Sequence, residues 1–250
     1  MTGPVADRGL PLVDAVVATT TSVLARWRRA PGLIREAVTE IELGRAAAFR
    51  RSADIDDFLA AHLLARDVGA GVLQVPAHTV QLAAACPECG SDRHGAPSIV
   101  GRPRVSLSLS HASGVVAAAA GPGPLGIDVE ASARRLDVTG LADTVLAPAE
   151  RMLLAAAADP ERAFLSLWVR KEALVKAGAA DLGSLTTVDL SDAGEGARWR
   201  SWTLSGWAGD LPRVPGVVAA LAVRGAARWT IRADGGSAIA AAELPGDRAP

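Results

Sequence analysis

Apolar and polar positions follow two rhythms along this chain. Val105–Leu109 and Leu125–Glu130 alternate as half-covered strands do. Pro31–Arg51 repeats its apolar points at helical spacing, through Leu33, Ile34, Val38, Ile41 and Leu43. Residues 53–68 form a second helical stretch, with Phe58, Leu59, His62, Leu63 and Arg66 near one face, and Gly69–Gly71 are expected to end it. Further helices are expected at 148–158 and 160–177. Strands are expected at 15–24, 115–120, 186–190, 198–204 and 217–223, and Gly121-Pro122-Gly123-Pro124 separates two of the strands. Residues 86–97 read as a turn-rich loop, residues 1–12 as a loose leader and residues 233–250 as a poorly ordered tail.

Mixed strands and helices of this kind predict an α+β fold. A weak internal echo sharpens it. Ala53-Asp54 leads through Phe58-Leu59 into a helix with glycines at its end, and Ala158-Asp159 leads through Phe164-Leu165 into another. Two similar halves related by a pseudo-twofold produce such an echo. They divide at 13–124 and 125–232.

Composition narrows the function classes. Half of the 250 residues are apolar, enough for one sizeable core or two small ones. A net charge of −1 supplies no basic field for nucleic acid. The apolar run from Val13 to Leu24 is rich in threonine and too short to span a bilayer. The opening residues lack the basic segment and apolar run of a signal peptide, and the only cysteines are Cys86 and Cys89, so the cytoplasm is expected. Of 26 basic residues only Lys171 and Lys176 are lysines, and both flank Glu172. A compact ammonium differs from a guanidinium as a point charge toward phosphate.

Three segments carry candidate chemistry. Asp128 and Glu130, two apart in a strand, share a face, while Ile127 and Val129 turn inward. Two oxygen donors there suit a hard cation or form a solvated strand end. Trp168, Glu172 and Lys176 share a helix face, as a carboxylate ligand beside a phosphate-binding ammonium or as an ordinary surface pair. Ser110 and His111 end a strand, where they donate to phosphate or simply make a turn.

Taken together, the Ser110-His111 strand end, Gly126-Ile127-Asp128-Val129-Glu130 and Trp168-Val169-Arg170-Lys171-Glu172, with Lys176 beyond, resemble the Sfp-type 4′-phosphopantetheinyl transferases in order and spacing. The likeness covers roughly residues 40 to 225. It implies two α+β halves with coenzyme A in the cleft between them. The implied reaction moves phosphopantetheine to a serine of an apo acyl or peptidyl carrier protein and releases adenosine 3′,5′-bisphosphate. It further implies Mg²⁺ on Asp128, Glu130 and Glu172, phosphate stabilisation by Lys171 and Lys176, and coenzyme contacts from Ser110, His111 and Arg45. Glu172, or a water, is the implied base for the serine. A monomer is expected, since one chain supplies both halves.

Two positions depart from that pattern. Asp57 and Ala96 stand where the family usually has basic residues, both on the nucleotide side. They motivate an alternative, a non-catalytic protein that binds a carrier protein or a coenzyme A-like ligand. An unrelated Mg²⁺ phosphohydrolase would need more clustered carboxylates. Zinc at Cys86, Cys89 and His94 would lack a fourth ligand.

Overall fold

The computed structural model describes residues 12–85, 89–91, 95–132, 138–192, 198–225, 228–233 and 238–243. The chain runs β1 (Leu12–Thr19), α1 (Thr20–Arg28), α2 (Pro31–Ala37), α3 (Glu40–Ala47), α4 (Ser52–Leu73), β2 (Leu82–Ala85), β3 (Ala96–Ile99), β4 (Ser106–Ala112), β5 (Val115–Gly121) and β6 (Leu125–Ala131). It continues through α5 (Val138–Val145), α6 (Pro148–Ala156), α7 (Pro160–Lys176), β7 (Arg198–Trp199), β8 (Trp202–Leu211), β9 (Val214–Arg224), β10 (Arg228–Ala233) and β11 (Ala238–Glu243). The fold is mixed α+β, as expected. Among the described residues, no helix is long and apolar enough to cross a membrane.

Local chemistry moved several boundaries. The threonine run after Ala18 reads as strand, but the Thr19 hydroxyl accepts from the Ser22 amide and starts α1. The expected helix over 31–51 breaks at extended Val38, and Thr39 restarts it through a capping box with Glu42. Helix α4 runs straight through Gly69 and Gly71 and stops only at left-handed Gln74. Gly69 serves close packing: a Cβ there would lie 2.9 Å from Ile99 Cδ1. The strand expected at 186–190 is instead the end of a 3₁₀ turn and an extended segment, because buried Lys171 takes the Leu185 and Val188 carbonyls.

Two sheets form the centre. The first has order β11-β10-β1-β5-β4 and the second has order β6-β9-β8-β7. β10 pairs parallel with β1, so residues 228–233 complete the first sheet rather than a half bounded at 232. β11, inside the expected tail, adds to the same edge. The alternation of β5 explains how the layers stack. Val115, Ala117 and Ala119 join Ile127, Val129 and Leu221 in a core between the sheets. Val116, Ala118 and Ala120 face a second core with Leu64 and Val68 of α4. Helix α7 covers the outer face of the second sheet, where Leu174 meets Ala220 and Ala222.

The two long helices are anchored alike. Arg66 of α4 is fully buried and pairs with Glu42 of α3 through two contacts of 2.8 and 2.7 Å. Lys171 of α7 is fully buried and pairs with Glu150 of α6 at 2.7 Å. Both glutamates also turn back to accept the backbone amide that opens their own short helix, Thr39 for Glu42 and Ala147 for Glu150. Each carboxylate thus satisfies an orphan helix donor and neutralises a buried cation.

Candidate functional site

Strand β6 and helix α7 meet at Gly126. A Cβ there would lie 2.1 Å from the Ala173 carbonyl oxygen and 2.7 Å from the Ala177 nitrogen, so only glycine permits this approach. Since 125, 127, 129 and 131 turn into the core between the sheets, Gly126, Asp128 and Glu130 face the helix. Glu172 and Lys176 lie on the α7 face that meets them.

Asp128 is the centre of the cluster and is buried. The Ser110 hydroxyl donates to its Oδ1 at 2.7 Å, and the Lys176 ammonium donates to the same oxygen at 2.7 Å. Lys176 also reaches the Leu109 carbonyl at 3.3 Å. The other oxygen, Oδ2, is buried and has no partner among the described residues. The Glu172 carboxyl is pushed above the usual carboxylate range, first by burial and then by the Asp128 charge, with Lys176 opposing. Glu130 is half-buried on the same strand face.

No three His, Cys, Asp or Glu side chains among the described residues converge as a ready metal cage. The donor set still fits a magnesium-like ion. Such an ion keeps several waters and takes one or two carboxylates plus substrate phosphates, and Asp128 offers a desolvated oxygen that lacks a donor. Asp128, Glu130 and Glu172 are the carboxylates on these facing surfaces that could supply its protein ligands.

Ser110 and His111 diverge. Successive strand residues point to opposite faces, and while Ser110 turns to Asp128, His111 packs edge-on against Phe49 and Phe58, 6.4 Å between ring centres in each case. His111 and Arg45 line a cleft of about 840 Å³ with Phe49, Phe58 and His62. The Arg45 guanidinium lies 5.2 Å over the Phe58 ring. Burial lowers the pKa of His111, against the Asp57 charge and with help from Lys176. A second cavity, about 250 Å³, is lined by Arg45, His62, Ala96, Ser108 and Lys176. Arg45 and Lys176 therefore share one cavity although they lie on different layers of the fold.

Lys171 does not join this site. Its ammonium donates to the Val145, Leu185 and Val188 carbonyls at 2.9, 2.8 and 2.6 Å besides pairing with Glu150. The expectation that it stabilises phosphate is overturned: it is buried one position along the helix from Glu172, where the surface turns inward. Asp57, a departure on the nucleotide side, is also structural. It accepts from the Thr20 hydroxyl and the Gly114 amide, tying the start of α1 to the β4–β5 turn. Ala96 does line the second cavity. Cys86 and His94 lie outside the described residues; Cys89 is exposed.

Three residues escaped sequence reasoning. Ser108 accepts from the Ile127 amide at 3.1 Å and so joins the edges of the two sheets. The Ser-x-Ser spacing was the available signal, since both hydroxyls fall on one strand face. His62 stacks 4.0 Å from the Phe58 ring, and its Nδ1 lies 2.9 Å from the Phe58 carbonyl oxygen. Burial lowers its pKa to about 4. Glu150 carried no local signal beyond its place three residues into a helix.

Residues 124–209 match the family model of the 4′-phosphopantetheinyl transferase superfamily. The matched stretch contains Asp128, Glu130, Glu172 and Lys176, and excludes Arg45, Ser110 and His111. No curated protein matches the chain.

Proposed function

We propose that this protein transfers 4′-phosphopantetheine from coenzyme A to a serine hydroxyl of an apo acyl or peptidyl carrier protein. The observation that carries this reading is the Asp128 carboxylate. It is clamped at one oxygen by Ser110 and Lys176 and buried without a hydrogen-bond partner at the other, beside Glu172, inside the stretch that resembles this transferase superfamily. The Sfp-like subtype is supported by the second half of the cleft, with Arg45 and His111 among aromatic rings on the far side of the shared cavity.

Arg45, His111 and the rings around them bind the nucleotide end of coenzyme A. Lys176 sits where the pyrophosphate reaches the carboxylates, and its ammonium offsets charge that builds during transfer. When bound, Mg²⁺ would neutralise the pyrophosphate between Asp128, Glu130 and Glu172. The serine oxygen attacks the phosphorus that bears pantetheine. That phosphorus–oxygen bond forms as the bond to adenosine 3′,5′-bisphosphate breaks, and the bisphosphate leaves with the electron pair. The hydroxyl proton passes to Glu172 or to a water beside it. In this reading one chain suffices, acting in the cytoplasm.

The test is direct. Purified protein with Mg²⁺ and coenzyme A should add the phosphopantetheine mass to an apo carrier protein, read by intact-protein mass spectrometry. Asp128→Ala and Glu172→Ala should abolish the addition while retaining the native circular-dichroism spectrum. A folded wild-type protein that modifies none of several carrier proteins would overturn the reading. Coenzyme A binding without transfer would instead support the non-catalytic alternative.

A further inference from the structure

Ser110 and Lys176 place their protons on one oxygen of Asp128 and leave the other bare. The resemblance described above casts Ser110 as a coenzyme contact. Its hydroxyl is spent elsewhere: it is buried, points away from the His111 cleft, and donates to Asp128 Oδ1 at 2.7 Å. Two residues earlier on the same strand face, Ser108 accepts the Ile127 amide, which fixes the backbone immediately before Asp128. The two serines therefore locate both the main chain and the carboxylate of this segment.

We infer that Ser110 is a positioning residue that aims Oδ2 of Asp128 at a divalent cation, and that it does not bind phosphate. The inference rests on the reading of Asp128 as a cation ligand. Its physical content follows from the geometry. With Oδ1 engaged by two donors, rotation of the carboxylate would break both bonds, so the cation meets a single oriented oxygen. Without the hydroxyl, Lys176 alone holds Oδ1 from a flexible stem, and the carboxylate turns freely between the cation and the ammonium. Groups that orient a ligating carboxylate in this way typically change metal affinity ~10–100-fold when removed.

Mn²⁺ serves as the probe, with free ion measured by electron paramagnetic resonance in the absence of coenzyme A. Binding of adenosine 3′,5′-bisphosphate is measured separately by calorimetry. Ser110→Ala should weaken Mn²⁺ binding by roughly 10–100-fold and leave bisphosphate affinity within about twofold. Ser110→Thr, which keeps the hydroxyl, should restore most of the Mn²⁺ affinity. The metal-free melting curve of each variant distinguishes a general loss of stability from this effect. If Ser110→Ala binds Mn²⁺ like wild type, or loses bisphosphate affinity instead, the inference falls while the cation site stands. If wild-type protein binds no Mn²⁺ and Asp128→Asn changes nothing, the cation reading falls, and the inference with it.

Discussion

Helices α4 and α7 each cross a sheet, each bury one cation against a glutamate from the short helix before them, and each follow that cation with a carboxylate. On α4 the sequence is Arg66 then Asp67; on α7 it is Lys171 then Glu172. Each helix also faces a strand aspartate, Asp14 on β1 and Asp128 on β6. The outcomes differ because of what meets that aspartate. Arg232 on neighbouring β10 engages both oxygens of Asp14, Nε to Oδ1 and Nη2 to Oδ2. Arg26 in turn takes Asp67. A guanidinium fork suits two carboxylate oxygens at once, so this pair is closed. At Asp128 a hydroxyl and an ammonium crowd onto a single oxygen, and the second remains available. Five residues beyond the buried cation α4 has Gly71, whereas α7 has Lys176. One scaffold thus carries a closed carboxylate pair and a poised one, and Arg26, Arg232, Ser110 and Lys176 set the difference.

The largest expected effect tests the shared part. Lys171→Met should cost about 3–5 kcal/mol of unfolding free energy in urea, as should Arg66→Met, because each strands a buried glutamate. If Lys171→Met kept full stability and lost only transfer, Lys171 would belong to the site after all.

The next effect belongs to the α4 side alone. His62 is neutral in the folded protein, with a pKa lowered to about 4 chiefly by burial; the Glu42 charge favours its protonation, and Arg45 and Arg66 oppose it. The unfolded chain binds the proton at its ordinary pKa near 6.5. Stability should therefore be complete above about pH 6.5 and fall by roughly 3 kcal/mol as the pH drops toward 4. His62→Gln should flatten that window in urea titrations. An unchanged slope would show that other groups govern it.

The smallest effect sharpens the contrast between the two aspartates. The side chain of Arg232 is 39% exposed, so Asp14→Asn should cost about 1 kcal/mol or less and leave transfer intact. Asp128→Asn should eliminate transfer with little change in melting. Equal losses of activity in the two variants would erase the distinction between the two aspartates.

Much of the poised site was legible. Period two placed Asp128 and Glu130 together, and helical spacing placed Glu172 with Lys176. What failed were features decided by distant chain. Lys171 looked like a partner of Lys176 because both are rare and adjacent to Glu172. Its fate depended on three carbonyls, at 145, 185 and 188, that no local pattern locates. Ser110 and His111 were read as one unit, although the same period-two rule sends them apart. Helix α1 hid behind a β-branched threonine run whose first member caps instead of extending. Gly69 and Gly71 looked like stops, but the helix runs through both, and Gly69 packs closely against Ile99.

The parallel pairing of β10 with β1 has a consequence for how the protein is made. Residues 12–17 find their partners at 228–233, so β1 emerges from the ribosome long before the strand that flanks it. Such distant contacts slow folding, because a long loop must close before the contact stabilises anything. Until then β1 exposes an unpaired edge that a neighbouring nascent chain could fill. Synthesis must therefore pass residue 233 before the first sheet is safe, and a fragment ending before β10 should aggregate instead of folding as an independent half.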